Sequence, residues 1–257
     1  MYGFCWPTGS SCNLMTGTFF FVSDVHITPG DESRVRHFSD FLDTIKQKKA
    51  DRLYVLGDLF DYWVGPGHED QAEHRAVLEK IRDVADSGVE VSLLHGNRDF
   101  FVDSKVARIA GAEMMGDDVD VRINGKMVHL CHGDHLCQND HTHQRLRKLV
   151  RSPLLRVLYH GLPMYVRERL ALKMRKLSRQ SVASKAPEVV GLSDNAVASI
   201  FEHGADVLIC GHTHAHGERR MQANGSEHVL YNLGDWSSNG SYLLYENNKF
   251  QLLHYQW

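Results

Sequence analysis

Apolar residues in this chain fall into short unbroken runs, and longer stretches between the runs repeat them every three or four positions. TFFFVS (18–23), DRLYVL (51–56) and VEVSLL (89–94) have the length and continuity of buried strands. Between the first two, DESRVRHFSDFLDTIKQKK (31–49) sets Val35, Phe38, Phe41, Leu42 and Ile45 at helical spacing. EDQAEHRAVLEKIRDVADSG (69–88) repeats such a pattern and is stopped by Gly88. Strand alternating with helix predicts parallel strands in a layered α/β domain. The second half reads as more β-rich. DVRINGKMVHLCHGD (120–134) predicts a hairpin turning at Asn124-Gly125. ADVLICGHTH, HVLYNLGDW, SYLLYE and FQLLHYQW are short strands punctuated by Asn and Gly. No internal repeat or low-complexity tract is present.

Charge changes this picture in one place. Between positions 141 and 185 there are twelve Lys or Arg and one acid, Glu168, although the whole chain has a net charge of -3. The same stretch is rich in Leu, Val and Met, and Pro153 and Pro163 stand where helices begin. It predicts a basic, amphipathic helical insertion at about 138–190, suited to an anionic, greasy partner. The overall charge gives no reason to expect nucleic acid, and no obligatory protein partner is expected. With 42% hydrophobic and 24% charged residues among 257, the composition is that of an ordinary globular chain. The five cysteines lack zinc-finger spacing and fit reduced thiols, with Cys131 and Cys210 as small core residues. Residues 1–16 are polar and carry no Lys or Arg, so they read as a loose extension before a domain at 17–257, with Met15 as a candidate natural start.

The chemistry gathers at the ends of the predicted strands. VSDVHI brings Asp24 and His26, VLGDLF brings Asp58, HGNRDF brings Asn97 and Arg98, HLCHGD brings His132, and CGHTHAH brings His212 and His214. In an α/β sheet such ends line the ligand crevice. Asp24 and His26, two apart, would share one side of an extended strand. Seven nitrogen and oxygen donors without a thiolate suit Mn, Fe, Zn, Co or Mg. An aspartate can bridge two such ions about 3.5–4 Å apart, a pair that activates water for in-line displacement at phosphorus. Asp58, alone in its block, is the natural bridge. Asp61 and Asp99 read as structural residues that could orient a ligand histidine, and His95 as a structural histidine.

The order D-x-H, GD, GN-R-D, HGD and GH-x-H resembles the calcineurin-like metallophosphoesterases. The longer matches VSDVHI, LYVLGDLFDYWVG, HGNRDFF and HLCHGDHLCQND, with the helical stretch that starts PLLRVLYHGLPMYV, resemble the UDP-2,3-diacylglucosamine hydrolase family within them. The resemblance covers about residues 18–257. It implies an α/β/β/α sandwich of two mixed sheets with an inserted helical cap, and a dinuclear-metal hydrolase. The implied reaction splits the pyrophosphate of a nucleotide-linked glycolipid, UDP-2,3-diacylglucosamine, into UMP and 2,3-diacylglucosamine 1-phosphate, a step of lipid A synthesis. The alternative is another nucleotide-linked substrate, lipid or soluble. Carried over residue by residue, Asp24, His26, Asp58 and His214 would hold one Mn2+, and Asp58, Asn97, His132 and His212 the other. Asp58, Asn97, Arg98 and His132 would be catalytic. Asn97, Arg98, Asp140, Ser178, Lys185 and His212 would contact substrate. Val182 and His143 depart from the family's Asn and Tyr. A cytoplasmic protein held peripherally on the inner membrane is implied.

Overall fold

The first strand is apolar at every position because both of its faces are covered. In the computed structural model, which describes residues 17–183 and 185–257, β1 (Phe19–Val22) turns Phe20 and Val22 to one side and Phe19 and Phe21 to the other. The expected loose extension at 1–16 lies outside the described residues. Phe20 and Val22 meet α1 (Glu32–Gln47), whose buried stripe is Phe38, Phe41, Leu42 and Ile45. Asp31 caps this helix by accepting from the amide of Arg34 at 3.1 Å. Then follow β2 (Arg52–Val55), α2 (Ala72–Asp86), β3 (Glu90–Leu94), α3 (Ser104–Ile109) and β4 (Glu113–Gly116). The predicted parallel pairing holds for β1 with β2 and β2 with β3, and β3 continues it to β4.

The hairpin at Asn124-Gly125 joins β5 (Asp118–Ile123) to β6 (Lys126–Cys131). Both turn residues have positive φ, 46° and 81°, the geometry that matches strand twist. The basic segment is helical: α4 (His141–Val150), α5 (Pro153–His160), α6 (Met164–Ala183) and the short α7 (Pro187–Val190). Pro153 opens α5 as its fixed φ allows. Next come α8 (Asp194–Glu202), β7 (Val207–Cys210), β8 (Gly217–Ala223), β9 (Ser226–Asn232), β10 (Gly240–Glu246) and β11 (Lys249–Tyr255).

The strands form two mixed sheets, ordered β11-β10-β1-β2-β3-β4 and β5-β6-β7-β9-β8. Their facing sides share one apolar layer, in which Phe21, Tyr54 and Leu56 of the first meet Val128, Leu130 and Ile209 of the second. Helices α1 to α3 cover the outer side of the first sheet, and α8 covers that of the second through Val197 and Phe201 against Leu208 and Leu230. This is the expected α/β/β/α sandwich. Strands β4 and β8 go beyond the predicted set. The edge strand β8, GERRMQA, is largely exposed and is held by backbone pairing with β9, so no apolar pattern announces it.

Candidate metal centre and active site

The strands stop one or two residues before the polar side chains begin. β1 ends at Val22, β2 at Val55 and β7 at Cys210, and the chain then enters the left-handed region at Asp24, His26, Asp58, His212 and His214, with φ between 52° and 70°. The expectation that Asp24 and His26 share the side of an extended strand is therefore corrected: they sit in a loop beyond it. Non-glycine residues in this region cost about 1–3 kcal/mol each and persist where their surroundings hold them. The surroundings here are backbone hydrogen bonds. The amide of Asp24 donates to Gly57 O at 3.2 Å, His26 to Asp58 O at 3.0 Å, and Gly211 to His132 O at 2.9 Å.

Glycines in three of the blocks permit the close approach. A Cβ on Gly96 would stand 2.1 Å from Asp58 Oδ1, and one on Gly211 2.2 Å from Asp24 Oδ2. One on Gly57, at φ 82°, would stand 2.5 Å from the backbone of Gly96.

Five of the seven sequence-predicted ligands meet in two overlapping groups. Asp24, His26 and His214 form one and Asp24, Asp58 and His132 the other, with ligand atoms inside each group within 4.8 Å of one another. His26 Nε2 and His214 Nε2 are 3.2 Å apart, and Asp24 Oδ1 lies 3.3 Å from His214 Nε2. Asp58 Oδ2 lies 3.6 Å from His132 Nε2 and 3.9 Å from His26 Nδ1. His132 Nδ1 is 3.0 Å from the carbonyl of Leu56, which makes Nδ1 the protonated nitrogen. Nε2 then faces Asp58, 3.0 Å from Asn97 Oδ1. The ring of His212 lies against that of His132, centroids 5.2 Å apart, and its amide donates to Asp24 Oδ2 at 2.9 Å.

Burial sets the electrostatics. Asp24 is wholly buried and Asp58 almost so. Burial, helped by the nearby charges of Asp99 and Asp24, pushes Asp58 up to about 7 against the pull of His132 and Arg98. Burial acts the same way on Asp24, but the adjacent His214 ring and the charges of His132 and His26 outweigh it and hold its carboxyl well below the usual range. Burial and the neighbouring Arg98 depress His26, and burial with the charge of His132 lowers His212 to about 3. Burial lowers His132 and His214 too, but the carboxylates of Asp58 and Asp24 outweigh it and raise both, so imidazoles and buried carboxylates face one another as a donor set for divalent cations. Asp24 Oδ1 and His26 Nδ1, both buried, have no hydrogen-bond partner. Histidine nitrogens and carboxylate oxygens left facing one another at these distances fit a cation between them.

The likeness to known proteins can be set beside this geometry. The calcineurin-like phosphoesterase family profile matches residues 17–216. A protein of Pseudomonas aeruginosa (strain UCBPP-PA14) named UDP-2,3-diacylglucosamine hydrolase is 36% identical, over 86% of this chain and 91% of its own length. One of the same name from Shigella sonnei is 35% identical, over 91% and 98%. The chain belongs to the calcineurin-like phosphoesterases, in the family of the UDP-2,3-diacylglucosamine hydrolases. A solved dimetal phosphatase from Danio rerio, 14% identical with a TM-score of 0.50 over 92% of this chain and 95% of that one, shares the fold.

Around the metallophosphoesterase loops, Arg98 is fixed at several points. Its amide donates to Asp58 Oδ1 at 2.9 Å, Nε stands 3.3 Å from Asp58 Oδ2, and Nη1 donates to Asp61 Oδ1 at 2.6 Å. The other oxygen of Asp61 pairs with Arg175 of α6. Asp61 thus ties Arg98 to the helical cap and touches no histidine, which corrects the orienting role suggested for it. Asp99 is corrected likewise. It accepts from the amides of Asp58, Gly96 and Phe60 at 3.1, 2.8 and 3.3 Å and so staples the loops after β2 and β3 together. His95 is structural as expected, held between Asp117 and the carbonyl of Val102.

A cleft of about 530 Å3 opens over the loops. Asp58, Asn97, Arg98, His212 and His214 line its floor, and Asp140, His143 and Ser178 of the cap line its wall. Lys185 reaches Asp140 with Nζ 2.8 and 2.7 Å from its two oxygens. The side chain of Val182, where the family has Asn, lies outside the described residues. His143 lies in the cleft wall, its ring 5.3 Å from that of His212.

Sequence reasoning passed over Asp134, Asp117 and Arg147. Asp134 is buried and accepts from Arg147 Nε at 2.7 Å, and Arg147 with Arg151 also pairs Asp117. These pairs dock α4 onto the loops after β4 and β6. The HGD block was the available signal for Asp134. Nothing local marks its arginine partners.

Proposed function

We propose that the protein hydrolyses the pyrophosphate of UDP-2,3-diacylglucosamine, giving UMP and 2,3-diacylglucosamine 1-phosphate. The observation that carries this reading is the meeting of Asp24, His26, Asp58, His132 and His214, with ligand atoms within 4.8 Å in each group, where Asp58 and His214 open onto a cleft that Asp140 and Ser178 also line. The names of the curated relatives support the substrate. Asp24, His26, Asp58 and His214 would hold one divalent cation, and Asp58, Asn97, His132 and His212 the other, with Mn2+ as the preferred ion. When bound, such a pair supplies an activated water and neutralises charge on phosphoryl oxygens.

The chain supplies positioning and charge. Arg98, anchored by Asp58 and Asp61, presents a planar donor fork to the pyrophosphate and offsets charge that develops as the glycolipid phosphate departs. Asp99 fixes the amide of Asp58, and the Leu56 carbonyl fixes the tautomer of His132. Asp140, Ser178 and Lys185 contact the uridine or glucosamine part.

The cap serves the lipid. Among the described residues, every exposed large apolar side chain except Trp257 lies between positions 146 and 177, led by Val157 at 71% and Tyr165 at 62% exposure. These sit among Lys and Arg, a surface that shelters acyl chains and meets anionic headgroups. No helix among the described residues is long and apolar enough to cross a membrane. The protein works peripherally at the cytoplasmic face of the inner membrane.

Incubation of the Mn-loaded protein with UDP-2,3-diacylglucosamine tests the substrate. UMP release that is fast with the lipid substrate and slow with UDP-N-acetylglucosamine is expected. Equal rates on the two would overturn the lipid assignment.

A further inference from the structure

We propose that His129, Cys131 and His135 form a separate zinc site on the outer side of the second sheet, distinct from the dinuclear centre. His129 and Cys131 are two apart on β6 and so project to the same face. His135 follows in the short turn after the strand and brings a third donor to them. One ring nitrogen of each histidine and the sulfur of Cys131 lie within 4.8 Å of one another. Zinc bonds of about 2.0–2.3 Å place tetrahedral donors roughly 3.3–3.6 Å apart, so a modest side-chain adjustment closes the group.

The neighbours point the same way. His129 Nδ1 lies 2.7 Å from Asp120 Oδ1, on the residue directly opposite it in β5, and so carries the proton. That leaves Nε2, which is buried and has no hydrogen-bond partner. His135 Nδ1 stands 3.9 Å from Asp134 Oδ1. His129 thus has the hydrogen-bonded carboxylate that orients metal-bound imidazoles, and the carboxylate of Asp134 stands near His135. Cys131 forms a wholly buried floor among Val197, Phe201 and Cys210, while the side chains of His129 and His135, 15% and 27% exposed, leave a way in.

The strand separates this site from the cleft. Cys131 packs toward α8, and the next residue, His132, turns to Leu56 between the sheets. The donor chemistry separates them too. One thiolate and two imidazoles select a borderline-soft ion such as zinc, whereas carboxylates, an amide and imidazoles serve manganese. Bound there, zinc would clamp β6 to the turn that follows His132.

Cobalt tests this directly, because it reports its ligands. Full-length protein loaded with Mn2+ and given one equivalent of Co2+ should show a thiolate-to-cobalt charge-transfer band in the near ultraviolet. Cobalt that displaces manganese from the dinuclear centre gives no such band, since no thiolate is among its donors. Zinc added afterwards should bleach the band. Cys131→Ser should abolish it with manganese retained. Because Cys131 is buried, His129→Asn and Asp120→Asn provide the second measure. The first should weaken cobalt and zinc binding at least tenfold, and the second about 10–100-fold, both with UMP release from the Mn-loaded enzyme kept. Absence of the band in the unmodified protein even when excess Co2+ fills every site, or its persistence at full strength in both Cys131→Ser and His129→Asn, would overturn the proposal.

Discussion

Gly96→Ala probes the tight packing beneath the candidate bridging aspartate. The backbone at Gly96 is outside the left-handed region, so alanine meets no conformational barrier there. The added Cβ would stand 2.1 Å from Asp58 Oδ1, 2.3 Å from Asp58 N and 2.8 Å from Asp99 Oδ1. Carbon and oxygen do not approach within about 3 Å, so Asp58 must move by about 1 Å. It cannot move alone, because its amide donates to Asp99 and its Oδ1 accepts from the amide of Arg98. Overpacking of this kind costs about 1–3 kcal/mol of stability, which in a chain of this size lowers Tm by about 2–4 °C per kcal/mol. A displacement of about 1 Å in a catalytic group costs about 100-fold in rate. Metal analysis, thermal unfolding and UMP release should therefore fall together, with activity falling far more than the stability loss explains. Gly161→Ala, where the nearest atom is 3.4 Å away in the cap, should be silent. Wild-type metal content and turnover in Gly96→Ala would refute the reasoning.

Asp61→Asn should weaken the anchoring of Arg98 and the tie to Arg175, at about 1.5–3 kcal/mol for a charged hydrogen bond. It should raise KM and lower kcat with metal content unchanged, so metal loss in this variant would count against the assignment. Asp117 is pushed up by burial, but His95, Arg151 and Arg147 outweigh burial and hold it at about 2. Its folded pKa lies below its unfolded one, so its contribution is present above about pH 4 and is lost as pH falls toward 2. Asp117→Asn should then cost up to about 1 kcal/mol at neutral pH, since the carboxylate is partly exposed. Urea midpoints of the two proteins should converge on acidification, and divergence would contradict this. Replacing Arg156, Arg169, Lys173 and Lys176 with Ser should weaken binding to anionic vesicles, most strongly at low salt. Unchanged vesicle flotation would remove the membrane role of the cap.

How much of this was legible in the sequence follows from where each signal resides. Strands β1, β2, β3 and β7 are covered on both faces, so their apolar runs were visible without context. The cap was visible because its charge departs so far from that of the rest. Strand β8 was hidden because pairing with β9 holds it and its side chains face solvent. The candidate ligand positions were readable as blocks, and five of them meet, but the reason that Asp24 and His26 converge was misread. Left-handed backbone at Asp and His leaves no mark in the sequence, as glycine would. The roles of Asp61 and Asp99 depended on Arg175 and on amides of other loops, partners fixed by tertiary packing alone. A local pattern contains no such pair. The same limit hid Asp134 with Arg147.

The most direct measurement sets metal content beside UMP release for the wild type and Asp58→Asn, both purified without metal and then loaded with Mn2+. The wild type should bind two equivalents and release UMP from UDP-2,3-diacylglucosamine. The Asn variant keeps the shape of Asp58 but loses the carboxylate, so it should bind less metal and turn over at least about 1000-fold more slowly (about 4 kcal/mol at the transition state). Full turnover by Asp58→Asn with both ions retained would contradict the assignment of Asp58 as the bridge.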